Sequence, residues 1–359
     1  MVCLLVNSCG NLLQQLAVGL TYEQKMRGIY IVGGLTDKNI GSVVAQIDLF
    51  DPVDARWFPA VTSVPIPVSF AGVASCKGKI YVIGGFDSSG TCCQSTQIYD
   101  VATDTWSTGN PIGGTHASIN AASVYDKICF AGGTMANANS ASYSRDNHIY
   151  ILDTNSGTWS TVTTTTYYYA DYACVTLNNT FYTVGGRQNY AQLCQYFQGY
   201  IPFLDLYTPM AENSLPTTPY EGTLGITGVL YAPPSSDPLI ILIGGYNAIS
   251  GVSADSNFIF NRSGFNLTAT TDVNYLVFPF TTTPWQDGTN YPQALGYASA
   301  AIYNDTILCF GGTNGVDASF EVYNSVYSID ASNIATASWT AEIAMPVARF
   351  GHTALTIKQ

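Results

Sequence analysis

The stretch Ile80-Tyr81-Val82-Ile83-Gly84-Gly85 decides the fold, because it recurs. Five more runs end in the same glycine pair: residues 29–34, 128–133, 181–186, 240–245 and 307–312. Successive first glycines lie 51, 48, 53, 59 and 67 residues apart. A period near 50 is too long for a hairpin and fits a four-stranded unit. The glycine pair lets each strand end tightly where neighbouring units crowd together.

Other residues repeat in phase. A short apolar strand ending near Asp follows the early glycine pairs, as in Ile98-Tyr99-Asp100 and Tyr150-Ile151-Leu152-Asp153. A Trp comes next: Trp57, Trp106, Trp159, Trp285 and Trp339. Trp285 arrives late, so the fifth unit carries an insertion. The fourth unit has no Trp, and the segment around Leu206-Tyr207 takes its place.

Apolar strand, Gly-Gly, a strand with Tyr, then Trp: the pattern resembles the kelch repeat over residues 27–359. The resemblance implies an all-β, six-bladed kelch-type β-propeller with four antiparallel strands per blade. Strands A to D run from the axis outward. Expected A strands are 70–76, 117–125, 170–177, 224–231 and 294–303. The first glycine pair has no A strand before it. The chain end, Arg349-Phe350-Gly351-His352-Thr353-Ala354-Leu355-Thr356-Ile357, reads as the missing one. The C-terminal strand is therefore expected to pair into the first blade and leave no open edge. Residues 1–26 form an N-terminal extension: a degenerate signal segment, lacking a basic n-region, or a short piece packed beside the ring.

Composition agrees. The chain has 359 residues, 47% of them hydrophobic and only 10% charged, with 25 Tyr and 33 Gly. Low charge with high hydrophobicity argues against disorder. Thr, Ser and Asn carry the solubility that charge does not. Twelve basic against 24 acidic residues give a net charge of −12. Nucleic acid and anionic membrane surfaces are thereby disfavoured as partners. No apolar run approaches the length of a membrane span.

Nine Cys are present. Cys76, Cys129, Cys174 and Cys309 lie in expected strands and read as small buried hydrophobes. Disulfide candidates are Cys92, Cys93, Cys194, Cys3 and Cys9. No C-x-x-C pair supports a zinc site. Sequons stand at Asn178, Asn261, Asn266 and Asn304, about the number chance supplies. Asn178 and Asn304 fall in expected A–B turns, Asn261 and Asn266 near an expected C–D turn. All four would then crowd one face and leave the other free.

The free face carries the D–A loops and the B–C loops 35–43, 86–94, 134–145, 187–192, 246–255 and 313–320. In kelch proteins this face often binds the partner. Candidate ligand-binding residues are Tyr167, Tyr168, Arg187, Tyr190, His116, Arg349 and His352. Amphipathic aromatics among neutral polar groups suit peptide or glycan recognition. His116 and His352 begin A strands near the axis and are expected to approach one another. Two His with no further ligands make a poor metal site, so neither metal nor cofactor is expected. The copper set of galactose oxidase and the iron site of plant specifier proteins have no counterpart here.

The reading that follows is a non-catalytic binding propeller for a protein or glycan, secreted or on the cell surface, structural or adhesive, and open to assembly or homo-oligomerisation. One alternative is a cytoplasmic kelch adaptor. The other is a carbohydrate-acting kelch enzyme of the oxidase or mutarotase kind.

Overall fold

A computed structural model describes residues 20–358 except 136, 139–145, 164–169, 190–191, 194–196, 203–205, 210–222, 249–266, 279–284 and 315–319. Six four-stranded antiparallel sheets form the blades. Blade 1 takes its A strand from the chain end, Phe350–Thr356, followed outward by Ile29–Leu35, Gln46–Asp51 and Arg56–Ser63. The register Ile29↔Thr356 through Leu35↔Phe350 closes the ring as expected. Blade 2 runs Gly72–Cys76, Lys79–Ile83, Thr96–Asp100, Thr105–Thr108, and blade 3 Ala121–Val124, Lys127–Ala131, His148–Asp153, Thr158–Thr163. Blade 4 is Ala173–Leu177, Thr180–Val184, Phe197–Ile201, Leu206–Pro209. Blade 5 is Thr227–Tyr231, Leu239–Ile243, Val273–Val277, Gln286–Asp287, and blade 6 Ser299–Tyr303, Thr306–Phe310, Val326–Asp330, Thr340–Ala341.

The continuous apolar B strands follow from the architecture. Successive side chains point to opposite faces of a sheet, and both faces of a blade are covered by neighbours. Ile80 and Val82 pack toward blade 1 with Tyr30 and Val73. Tyr81 and Ile83 pack toward blade 3 with Ile128 and Phe130. Equivalent apolar clusters fill the remaining blade interfaces.

All six glycine pairs have positive φ at both members, a conformation other residues reach only at a cost. Space demands glycine as well. A Cβ on Gly84 would stand 2.3 Å from the His116 carbonyl oxygen, and one on Gly311 2.4 Å from that of Arg349. The second glycine uses the same carbonyl: Gly85 N–H donates to His116 O at 2.7 Å and Gly312 N–H to Arg349 O at 3.0 Å. The repeat signature is thus a hydrogen-bonded joint between one blade and the next.

Trp and Asp have equally local reasons. At or beside four D strands an indole N–H donates backwards to the preceding blade: Trp57 to Ile343 O, Trp106 to Thr62 Oγ1, Trp159 to Asn110 O and Trp339 to Thr289 O. The Asp ending each of four C strands accepts from its own C–D turn, as Asp100 does from Ala102 and Thr103 N–H. Asp51, Asp153 and Asp330 do likewise. Part of the N-terminal extension packs on blade 1. Thr21 caps a short helix, Tyr22–Arg27, and Arg27 holds Asp51 through two nitrogens.

One expectation is corrected. Asn261 and Asn266 lie outside the described residues, but the strands flanking them place them in the chain between B and C of blade 5, not at a C–D turn. The insertion in that blade is therefore a B–C insertion. It begins and ends with the paired strands Tyr246–Ala248 and Leu267–Ala269.

Candidate functional site

The axis is closed on the face that carries the B–C and D–A loops. One residue is structurally equivalent in every blade, six positions before the last residue of the A strand in blades 2 to 6 and five before it in blade 1: Phe70, Ser118, Asp171, Gly225, Tyr297 and Gly351. All six have positive φ, between 52° and 62°. Their backbones form a hydrogen-bonded ring around the axis. Phe70 N–H donates to Gly351 O, Gly351 to Tyr297, Tyr297 to Gly225, Gly225 to Asp171 and Asp171 to Ser118, over 2.7–3.0 Å. Ile119 N–H to Phe70 O, at 3.4 Å, completes the circuit.

Phe70 and Tyr297 pay backbone strain for this conformation, and the two glycines make room for their rings. A Cβ on Gly351 would lie 2.7 Å from Phe70 Cζ, and one on Gly225 2.9 Å from Tyr297 Cε1. The rings meet edge to face at 5.3 Å. Phe86, Tyr246 and Phe350 surround them, with Leu35, Cys92 and Leu224 in the same cluster. The centre of this face is an apolar plug.

Polar loops stand around the plug. Residue pairs such as Ser69↔Phe86, Ala117↔Thr134 and Gly296↔Thr313 extend the sheets past the glycine pairs and anchor the B–C loops. Asp87 accepts from the N–H groups of Ser89 and Thr91 and from the Ser89 hydroxyl. Burial works against the Asp87 charge, yet these bonds outweigh it and hold the carboxyl below its ordinary range. In blade 3, Asp146 accepts from the Tyr150 hydroxyl and meets His148 Nδ1. Burial opposes that charge too, and the two partners still hold the Asp146 carboxyl low.

Three candidates leave the surface. Arg349 is 0% exposed. It pairs with Asp48 and donates to the carbonyls of Gly33 and Gln46, so it locks blade 1 internally. His116 is also 0% exposed, with Nδ1 3.0 Å from Gly132 O and its ring 4.5 Å from that of Tyr150. Burial lowers its pKa, against the pull of Asp146. His352 lines the axial cavity, and burial, then Arg349, push its pKa down to about 3. The expected approach of the two His is not realised. His116 is held within blade 3 and His352 against Gly311 of blade 6. Among the described residues no group of three or more His, Cys, Asp or Glu could hold a metal ion.

Of the other candidates, Arg187 lies in the short hairpin Arg187–Asn189 with Gln192–Leu193, within the B–C connection of blade 4. Tyr167, Tyr168, Tyr190, Cys194, Cys3 and Cys9 fall outside the described residues. Among the described residues Cys92 and Cys93 form no disulfide. Cys92 donates to Thr134 O within the plug, and burial pushes its pKa up to about 12. Cys129 and Cys309 are fully buried, as the strand pattern predicts. Asn178 and Asn304 sit exposed in A–B turns, both at positive φ. No helix among the described residues is long and apolar enough to cross a membrane.

Residues 19–207 match the family model of the KLHDC2/KLHL20/DRC7 Kelch-repeats domain. Kelch-like protein 35 of Mus musculus is 34% identical over 91 residues, 25% of this chain and 16% of that protein. Kelch repeat-containing protein kel-10 of Caenorhabditis elegans is 26% identical over 198 residues, 53% of this chain and 32% of that protein. The chain thus spans under a third of the length of these relatives. The solved structure of YjhT superposes with a TM-score of 0.62 at 15% identity, covering 87% of this chain and 97% of that one, a likeness of fold.

Proposed function

Because the chain belongs to the kelch-repeat family, we propose that it is a protein-binding propeller whose partner docks on the B–C/D–A face. The plugged axis carries the reading. It turns this face into a continuous platform, with buried aromatic residues packed beneath its centre and anchored loops of Ser, Asn, Asp and Thr around it. A platform of this kind suits an extended or looped peptide, with the loops supplying polar contacts. The net charge of −12 favours a neutral or basic partner segment.

Peptide selection against the intact propeller tests this. Enriched peptides should lose binding to Arg187→Ala and Tyr168→Ala and keep it with Lys77→Ala on the opposite face. Equal loss on both faces, or no enrichment, refutes the assignment.

For setting, the charge-poor surface and the exposed sequons Asn178 and Asn304 support a secreted or cell-surface adhesive module. Glycosidase treatment of protein made through a secretory route should lower its mass by whole glycans. A second reading has its own support. Among the described residues Cys76, Cys92, Cys93, Cys129, Cys174 and Cys309 form no disulfide, which suits a reducing compartment. Similar proteins carry the names "Kelch repeat and BTB domain-containing protein F47D12.7" and "F-box/kelch-repeat protein At1g22040". An unmodified mass from the secretory route favours this intracellular adaptor reading.

A further inference from the structure

The axial channel opens on the face opposite the plug. Its cavity of about 300 Å³ is walled by the six A strands, within the range of small-molecule sites. Toward the plug Ile226, Ala298 and His352 are buried and Asn120 and Thr353 partly so. Toward the A–B turns Thr176, Leu230, Ile302 and Thr356 are partly exposed, and Lys358 is exposed.

Sheet register sorts the wall into tiers. Ser75, Ser123, Thr176, Leu230, Ile302 and Thr356 each pair with the B-strand residue four before its Gly-Gly. This outer tier holds four hydroxyls and two aliphatic side chains. Two residues inward stand Val73, Ala121, Cys174, Gly228, Ala300 and Ala354, small and without a strong polar group.

Charge adds a direction. The chain has twice as many acidic as basic residues, yet the main cavity is lined by Lys358 and no Asp or Glu; the one carboxylate of the axial lining, Asp171, lies in the narrow extension at the closed end, away from Lys358. Lys358 is fixed at the mouth by its backbone: its N–H donates to Ser75 Oγ at 3.0 Å, and its carbonyl accepts from Gly78 N–H at 2.9 Å. At the closed end, a narrower extension of about 40 Å³ shares Asn120, Ile226, Ala298, His352 and Thr353 with the main cavity. There Ser118, 3% exposed, has no partner for its hydroxyl among the described residues. The axial space therefore has unmet hydrogen-bonding capacity inside and a cation with hydroxyls at its mouth.

We propose that the channel binds a short-chain monocarboxylate, its carboxylate at Lys358 and the outer hydroxyls other than Ser75, whose O–H is already donated to Thr356 O, and its tail against the inner apolar tier. Charge-assisted hydrogen bonds select the anion, and the cavity length limits the tail. This site is separate from the platform of the opposite face.

Calorimetric titration of the full chain with butyrate, and with butyramide as its neutral isostere, tests the proposal. Butyrate should bind, butyramide at least tenfold more weakly. Lys358→Gln should weaken butyrate at least tenfold, and Lys358→Arg should retain it, both with the parent's melting temperature. No butyrate binding to the parent at millimolar concentration, equal binding of the two ligands, or unchanged affinity in Lys358→Gln overturns it. If Lys358→Gln unfolds, Lys358→Arg and the butyramide comparison still decide.

Discussion

Replacing Asp48 by Ala probes how the ring is locked. Asp48 is 1% exposed and Arg349 0%. The carboxylate pairs with Arg349 and also accepts from Ala60 N–H at 2.8 Å and Gln46 Nε2 at 3.0 Å. Its removal leaves a buried guanidinium without a counter-charge and a strand N–H without a partner. Breaking one side of a buried pair costs about 3–5 kcal/mol. With an unfolding entropy of about 2.1 cal/mol/K per residue, a cooperative chain of this size should melt about 4–7 °C lower. The damage belongs to the orphaned charge more than to the lost attraction. Asp48→Ala with Arg349→Met should therefore recover at least half the loss. Calorimetry of the two single variants and the double variant measures this cycle. A loss under about 1 kcal/mol for Asp48→Ala, or strict additivity in the cycle, refutes the reasoning.

Other outcomes follow from the same contacts. Gly84→Ala should lose more than about 2 kcal/mol, since its Cβ would press on the His116 carbonyl at positive φ; Gly113→Ala, with nothing within 4 Å, should be nearly neutral by denaturant titration. Trp106→Phe should cost about 1 kcal/mol through its bond to Thr62, read as a shifted urea midpoint. Deleting residues 349–359 removes the A strand of blade 1 and exposes its B strand; light scattering should show aggregation. His352 ionises near pH 6.5 when unfolded and near 3 when folded, so the unfolded chain binds the extra proton. Its contribution is intact above pH 6.5 and is lost as pH falls toward 3. His352→Gln should show a shallower fall in stability over that window.

Much of the architecture was legible because its signals are local. Gly-Gly is demanded by a carbonyl a few ångströms away, Trp by a backbone acceptor on the preceding blade, and Asp by its own turn. Each recurs because every blade solves the same packing problem. The ring closure was legible for a related reason: one B strand lacked an A strand, and one A-like strand lacked a B. The candidate site was harder to read. Arg349, His116 and His352 stood where kelch patterns place polar residues near the axis, and the sequence carries no sign that burial absorbs them. Asp48, the partner of Arg349, sits in an ordinary C strand more than 300 residues away.

By itself, then, the amino-acid order determined the repeat, the number of blades and how the circle is completed. Those depend on short-range patterns of apolar residues, glycine and Trp. Only the tertiary structure decided which end of the axis is open. The six residues of the ring, Phe70, Ser118, Asp171, Gly225, Tyr297 and Gly351, share one backbone conformation and no common chemistry. Two aromatics take up left-handed geometry, and the glycine of the adjoining blade leaves space for each ring. That exchange of space between neighbouring blades closes one face, and leaves Lys358 at the mouth of the other.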